Sequence, residues 1–435
     1  MRIQHWTIED WQGLFYADFE EWVRVYAERL EGLPSGPRKS GLSWESDPVS
    51  LAPRIRSNAE GNHRHPLAGV PYALKDLFDY AGSPTTCGSR FYSQISGKVD
   101  AHSELVEQLE TAGGVCVAKT TMNEFAYGLS GENITFGNCM HPRFPKFLSG
   151  GSSSGSAWAV GAGLVPLGIG TDTGGSIRVP SAWCGLYGLR MIPGLWMGRG
   201  AFPLAPSFDT AGWMTANSAD MERVCAGLLT SSAEKNDPEG TPSRGLWIDG
   251  MSGPIHPDLE CLYAQAALKA NCVDDPDPIF KFREICEGSS KSFSILQSTE
   301  AAGVHRAWLD DYQVAYDSKV WGLIDRGRRW TDTQRENAEQ QQRDIMDSFE
   351  ALFSEYDYIA LPAVHQFAPY PSELTPELRD GLLELTSPAS LAGLPALTIP
   401  VFDERRLSGG IQVILPDLSI ERIRRVLDAW RLSDD

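Results

Sequence analysis

The chain has 435 residues, of which 42% are hydrophobic and 22% charged. That composition is close to the globular average, excludes a mainly disordered or fibrous protein, and leaves ample chain for a large core. Lysine plus arginine total 38 against 57 aspartates plus glutamates, a net charge of −19, so phosphate backbones and anionic lipid are repelled and direct binding of nucleic acid or membrane is disfavoured.

The first 13 residues lack the apolar core of a signal peptide. The longest apolar run, residues 157–170, holds glycines and a proline and is shorter than the roughly 18 residues of a membrane span. The 8 cysteines are scattered with no CxxC pair, so free thiols in a reducing cytoplasm are expected. The N-terminal segment reads as helix: Ile8, Trp11, Phe15, Phe19, Trp22, Val23, Tyr26 and Leu30 share one face. Residues 32–66 are rich in Pro, Ser, Gly and Asn and read as loop with at most a short helix. Residues 69–74 form a short apolar strand ending at Lys75-Asp76. A helix over 104–111 is closed by Gly113 and Gly114, and 115–118 is a buried strand. This strand–helix–strand alternation predicts an α/β sheet. A small-residue loop over 149–156 leads into a helix at 157–163 and a buried strand at 164–170. Residues 231–254 are a polar surface connection. Two long polar helices are expected at about 306–326 and 333–353, strands at 358–361 and 396–401, and a last helix with Ile420, Ile423, Val426, Leu427 and Trp430 on one side.

Three stretches carry chemistry. Lys75 follows a buried strand, so burial is expected to lower its pKa and free it to act as a base; the alternative is a lysine that reaches outward or pairs with Asp76. Residues 149–156 crowd Ser149, Ser152, Ser153, Ser154 and Ser156 among glycines, which permit close backbone approach; a plain linker is the alternative, though linkers are rarely flanked by hydrophobic elements. Residues 168–190 run from a strand into Thr171-Asp-Thr-Gly-Gly-Ser176, where successive N–H groups can converge on an anion. Such a turn can hold the oxyanion of acyl transfer, with Ser176 placed to attack the same carbonyl; an ordinary glycine turn is the alternative.

Together these stretches resemble the amidase signature family. The signature core is Gly150-Gly-Ser-Ser-Ser-Gly-Ser156 through Gly170-Thr-Asp-Thr-Gly-Gly-Ser-Ile-Arg178, with the lysine strand upstream, and Ser152 and Ser176 stand 24 positions apart (176 − 152) as in the family's serine pair. Met122-Asn-Glu-Phe-Ala-Tyr-Gly128 and Thr386-Ser-Pro-Ala-Ser-Leu-Ala-Gly-Leu-Pro395 add to it. The likeness covers about 67–206 and 356–401 and is loose between them. It implies that Ser176 is the nucleophile, Lys75 the ultimate base, and Ser152 the bridge between them, in a cis peptide geometry. The N–H groups of Thr173, Gly174, Gly175 and Ser176 are the expected oxyanion hole. Ser153 and Asp172 are expected to support the site by hydrogen bonding. Arg178 either holds a substrate carboxylate or braces the turn, the latter favoured because the motif carries Arg whatever the substrate. Ser153, Arg178 and Tyr127 are the candidate substrate contacts.

The resemblance further implies one α/β/α amidase body over 1–435, built on a large twisted mixed sheet covered by helices. Its signature core is about 67–206, a variable helical part at about 231–353 covers the site, and 354–435 returns to the core. The implied reaction is hydrolysis of a small carboxamide without metal or organic cofactor, in the cytoplasm; a homodimer is a family-level expectation and a small partner chain is left open. Residues 123–128, 149–156 and 200–209 are similar to carboxybiuret and allophanate hydrolases, which favours small urea-derived amides. The segment 194–200 departs from that pattern, and Trp183, Trp196 and Trp213 would make the pocket narrow or aromatic, so aryl amides stay open. Three rivals remain. Gly151-Ser-Ser-Ser-Gly155 fits the G-x-S-x-G elbow centred on Ser153, but two prolines in 141–148 argue against the strand it requires, and His256, His305 and His365 lie in no recognisable catalytic context. One chain of a multi-chain, tRNA-dependent amidotransferase is the second, and an inactive scaffold the third. Nothing has metal-ligand spacing; His63 and His65 flank Arg64 in a loop.

Overall fold

A computed structural model describes residues 5–48, 50–53, 55, 65–229 and 244–431. His63, Arg64 and residues 231–243 of the predicted connection lie outside the described residues. The backbone is organised around ten strands: β1 (Leu42–Glu45), β2 (Pro71–Lys75), β3 (Val115–Thr120), β4 (Leu167–Asp172), β5 (Tyr187–Arg190), β6 (Thr210–Thr215), β7 (Gly245–Trp247), β8 (Tyr358–Pro362), β9 (Ala396–Phe402) and β10 (Ser408–Ile414). They make one mixed sheet in the order β1-β3-β2-β4-β6-β5-β9-β10-β8-β7. β3, β2 and β4 run parallel, as do β8 and β7, and the other neighbours are antiparallel.

Side chains alternate across the sheet and feed two cores. Tyr72, Leu74, Cys116 and Trp213 join the larger cluster, while Ala73, Val115, Val117 and Met214 join the smaller one on the other face. Every residue of β2, β3 and β4 is buried, which is why these strands read as continuous apolar runs rather than alternating ones. The protein is thus an α/β fold whose large mixed sheet is covered by helices on both faces.

Several boundaries depart from the expectation. The N-terminal helix is two helices, Ile8–Ala17 and Phe19–Gly32, because Asp18 is extended and caps the second through Glu20 N and Glu21 N. The stretch at 32–66 holds the short helix it was read to allow, Ser35–Gly41, but also β1, which pairs antiparallel with β3. The expected connection at 231–254 includes β7, paired with β8. The helix foreseen at 306–326 forms only in its last part: helix Ser289–His305 ends before it, and helix Ser318–Asp325 lies within it, with Asp317 as its cap. The stretch between folds back so that Tyr312 stacks on Phe91 and Tyr316 packs on Phe125; tertiary packing there overrides helix propensity. The second polar helix, Asp332–Phe353, forms as expected.

The fold brings three chain segments to one place. β2 and β4 are parallel neighbours, so their C-terminal ends, Lys75 and Thr171-Asp172, point the same way. The serine loop precedes helix Ser154–Gly161, which packs on both strands. Ligands of α/β sheets bind at such carboxyl ends.

Candidate active site

Lys75 closes a fully buried strand and is itself 0% exposed. Its Nζ donates to Ser152 Oγ at 2.8 Å and to Thr171 Oγ1 at 2.7 Å. Burial lowers its pKa to about 7, against the opposing pull of Asp172, Asp209 and the Cys87 thiol. Ser152 is also fully buried, and the Gly151–Ser152 peptide bond is cis. Asn123 braces this bond: its N–H donates to Ser152 O at 3.3 Å, and its Oδ1 accepts from Gly131 N at 3.0 Å. A Cβ on Gly151 would lie 2.0 Å from that same oxygen, so only glycine fits.

Asp172 organises the turn that carries Ser176. Its carboxylate accepts from the N–H groups of Gly175 (2.8 Å), Ile177 (3.1 Å) and Arg178 (3.2 Å). Burial would raise its pKa, but Arg178, Arg190 and these N–H groups outweigh that and hold it well below the usual carboxylate range. Thr386 Oγ1 donates to Gly174 O at 2.7 Å, pinning the turn from the opposite side. Thr173 Oγ1 donates at 2.6 Å to Asp209, a buried carboxyl whose pKa burial pushes up to about 6.

The sequence-predicted residues sort as follows. Lys75, Ser152 and the Ser176 turn come together: Ser153 N donates to Ser176 O at 3.3 Å, and Lys75 is hydrogen-bonded to Ser152. Among the described residues no hydrogen bond joins the Ser152 and Ser176 hydroxyls. The Gly175 N–H, expected in the oxyanion hole, is committed to Asp172, whereas no acceptor among the described residues takes the N–H of Thr173, Gly174 or Ser176. Ser153 does not face a substrate, since its hydroxyl donates to Thr171 O at 3.0 Å and accepts from Thr171 N at 3.2 Å. Arg178 has no donor left for a substrate carboxylate. Its Nε and Nη2 hold Asp172 at 3.0 and 2.8 Å, Nη2 also reaches Ser390 Oγ, and Nη1 reaches Thr386 O and Gln412 Oε1. It braces the turn. Tyr127 is 2% exposed and its hydroxyl has no hydrogen-bond partner among the described residues.

The elbow alternative lacks its parts. Residues 141–150 contain no strand beyond a single bridge at Leu148, and among the described residues no histidine bonds to Ser153. His305 is bound to Tyr316, and His256 caps helix Pro257–Lys269. Trp183 and Trp213 are core residues, 1% and 0% exposed. Sequence reasoning missed Thr171, Asp209 and Arg190, which support the site, and a second buried lysine, Lys119, whose Nζ lies 2.6 Å from Asp76 Oδ1. Thr171 and Arg190 fall inside the motif stretch. The acidic partner Asp209 closes the 200–209 stretch that carried part of the resemblance, but nothing there pointed to its contact with Thr173.

The family described as amidase matches residues 38–244. Amidase 1 of Oryza sativa is 43% identical over 164 residues, 38% of this chain and 38% of that protein. A glutamyl-tRNA(Gln) amidotransferase chain of Synechococcus sp. is 30% identical over 418 residues, covering 85% of this chain and 84% of that one. The solved K. lactis urea amidolyase superposes with a TM-score of 0.84 at 25% identity; the match takes in 98% of this chain but 27% of that larger protein. The chain belongs to the amidase signature family. It is accordingly a hydrolase acting on the C–N bonds of amides.

Proposed function

We propose that the protein hydrolyses a small carboxamide through an acyl-enzyme on Ser176, with Ser152 passing protons between Ser176 and Lys75. The observation that carries this reading is a fully buried lysine amine held 2.8 Å from a serine hydroxyl, in surroundings whose burial lowers its pKa to about 7. Near neutral pH a large share of Lys75 is unprotonated and can accept the Ser152 proton, while Ser152 accepts that of Ser176. Ser176 Oγ then bonds to the amide carbon, and the carbonyl oxygen takes up negative charge. The N–H groups of Thr173, Gly174 and Ser176 are the available donors to it. When the C–N bond breaks, the proton returns from Lys75 through Ser152 to the departing amine, and water releases the acyl group. Arg178 and Asp172 keep the turn in shape and touch no reacting atom.

The experiment is turnover of small amides by Lys75→Ala and Ser152→Ala. Loss of a general base costs about 10²- to 10⁴-fold, and that fall in kcat/KM is the expected result; undiminished turnover by Lys75→Ala contradicts the relay. Likeness to the urea amidolyase favours urea-derived amides among the substrates. Ammonia release from biuret-like amides should exceed that from aryl amides, and equal inactivity on both removes the preference. A second reading, one chain of an amidotransferase complex, rests on the likeness to the Synechococcus protein over 84% of its length. A co-purifying partner chain needed for turnover favours it, whereas turnover by the isolated chain favours the first reading.

A further inference from the structure

A cleft of about 670 Å³ opens where helix Arg178–Cys184 ends. Among the described residues that line it, none belongs to the relay or to the nucleophile turn. Its walls are tied together by contacts. His141 Nε2 donates to Trp183 O at 3.0 Å and its Nδ1 accepts from Arg143 N at 3.0 Å, which seats the Arg143 turn beside Cys184. Gly185, in the left-handed conformation that ends the helix, lets the Phe402 ring approach, since a Cβ there would lie 2.5 Å from that ring. Arg406 lies over the same ring, its Cζ 4.5 Å from the centroid. Helix Pro257–Lys269 packs on β9 and closes the third side, with Leu262, Ala266 and Lys269 on the face turned to the cleft.

Three cations line this cleft without a partner. Among the described residues no hydrogen bond or ion pair engages the guanidinium of Arg143 or Arg406 or the amine of Lys269. Acidic residues outnumber basic ones in this chain, 57 to 38, and exposed cations such as Arg405 and Arg424 do find carboxylates. Two carboxylates also line the cleft. Asp403 is committed: its Oδ2 accepts from Arg405 Nε at 2.7 Å and its Oδ1 from Leu407 N at 2.8 Å. Glu404 is exposed. His5 adds no fixed charge, because burial and Arg143 hold it below its ordinary pKa. Three positive charges therefore stand against the one of Glu404. Burial and the like charge of Arg406 also hold Arg143 below its ordinary pKa, as expected of cations gathered with no anion between them. The turn after β9 fixes Arg406 in place: its N–H donates to Asp403 O at 2.9 Å, and its φ of +65° is one that L side chains rarely adopt.

We infer that Arg143, Lys269 and Arg406 form a binding site for a small phosphate-bearing anion. A guanidinium fork matches phosphate oxygens bidentately, and a lysine adds a point charge. Three cations balance a dianion or trianion better than a single carboxylate. The cleft falls within the roughly 300–1,000 Å³ of small-ligand sites. A polymeric anion is disfavoured, because it would run beyond the cleft onto a chain of net charge −19. The site meets the serine loop only through its floor, where Cys184 Sγ donates to Ser149 O at 3.3 Å. It does not depend on the hydrolytic reading above.

The test is calorimetric titration of the full-length protein with inorganic pyrophosphate at constant ionic strength. Pyrophosphate should bind saturably, with one site per chain. Affinity should fall about tenfold or more in Arg143→Gln and in Arg406→Gln, and several-fold in Lys269→Gln. All three side chains are exposed, so these variants should keep the fold. Arg424→Gln, which removes a cation already paired with Glu222, should bind as the wild type does, and so should Ser176→Ala. Citrate, a trianion built of carboxylates, should bind about tenfold more weakly than pyrophosphate. No saturable binding at millimolar pyrophosphate, affinity that survives the double variant Arg143→Gln/Arg406→Gln, or an equal loss in Arg424→Gln overturns the site. Loss of binding in Ser176→Ala would move the anion to the catalytic site and overturns it equally. Citrate binding as tightly as pyrophosphate overturns the assignment to phosphate.

Discussion

Lys75 is the residue whose environment most directly sets the chemistry. Because the unprotonated amine is the working form, kcat/KM should rise with pH and level off above about 7. Asp209 bears on that midpoint: its negative charge stabilises protonated Lys75, so Asp209→Asn should move the acidic limb to lower pH. A limb that moves upward, or does not move, contradicts the assignment of that limb to Lys75. The three residues of the proposed relay were named in the sequence through the family resemblance, since each sits in a contiguous motif that carries it; from the residues alone each stretch had a plain structural alternative. Gln412 was not: it lies 234 positions downstream of Arg178, whose Nη1 donates to its Oε1 at 2.8 Å, on a strand that only the pairing of distant segments brings to the turn.

At the scale of elements, the turn over 172–178 is held by one carboxylate and two arginines, all 0% exposed. Removing one partner of a buried ion pair leaves the other charge uncompensated, at a cost of about 3–5 kcal/mol. Arg178→Met should therefore lower the free energy of unfolding in denaturant by about that amount and disorder the turn, so activity falls with stability. A variant of unchanged stability would mean that Arg190 alone suffices for Asp172. Gly175→Ala should be harmful for another reason, because its φ is +123° and a Cβ there would lie 3.0 Å from Thr386 Oγ1. The strands that position the site were legible as apolar runs bounded by glycine. β5, β6 and β10 were not, since they carry Gly188, Gly212, Gly409 and Gly410 and mix polar with apolar residues in a sheet buried on both faces. The end of helix Ser289–His305 was equally hidden, because what stops it is the ring cluster around Phe125 rather than a local breaker.

For the whole molecule, an α/β sheet was legible from the alternation of strands and helices, and its being one large mixed sheet covered by helices from the family resemblance, while the order of its ten strands was not, since pairing between distant segments leaves no local trace. The interior also sets the acid limit of the fold. Burial lowers the pKa of His141 to about 4 and of His305 to about 3, from an ordinary value of 6.5. Between those values the unfolded chain binds protons that the native chain does not, so stability rises with pH across this window and is lost as pH falls below about 6.5. The melting temperature should decline from pH 6.5 toward pH 4. His305→Phe should flatten the decline if it folds, and a decline unchanged in that variant would locate the sensitivity elsewhere. The proposed chemistry depends above all on a working Ser176 activated through Lys75. The most direct measurement is to treat the protein with a serine-reactive fluorophosphonate and map the labelled peptide by mass spectrometry. Label on Ser176 in the wild type that disappears in Lys75→Ala is the predicted result; label on Ser153, or label on Ser176 that persists without Lys75, would contradict it.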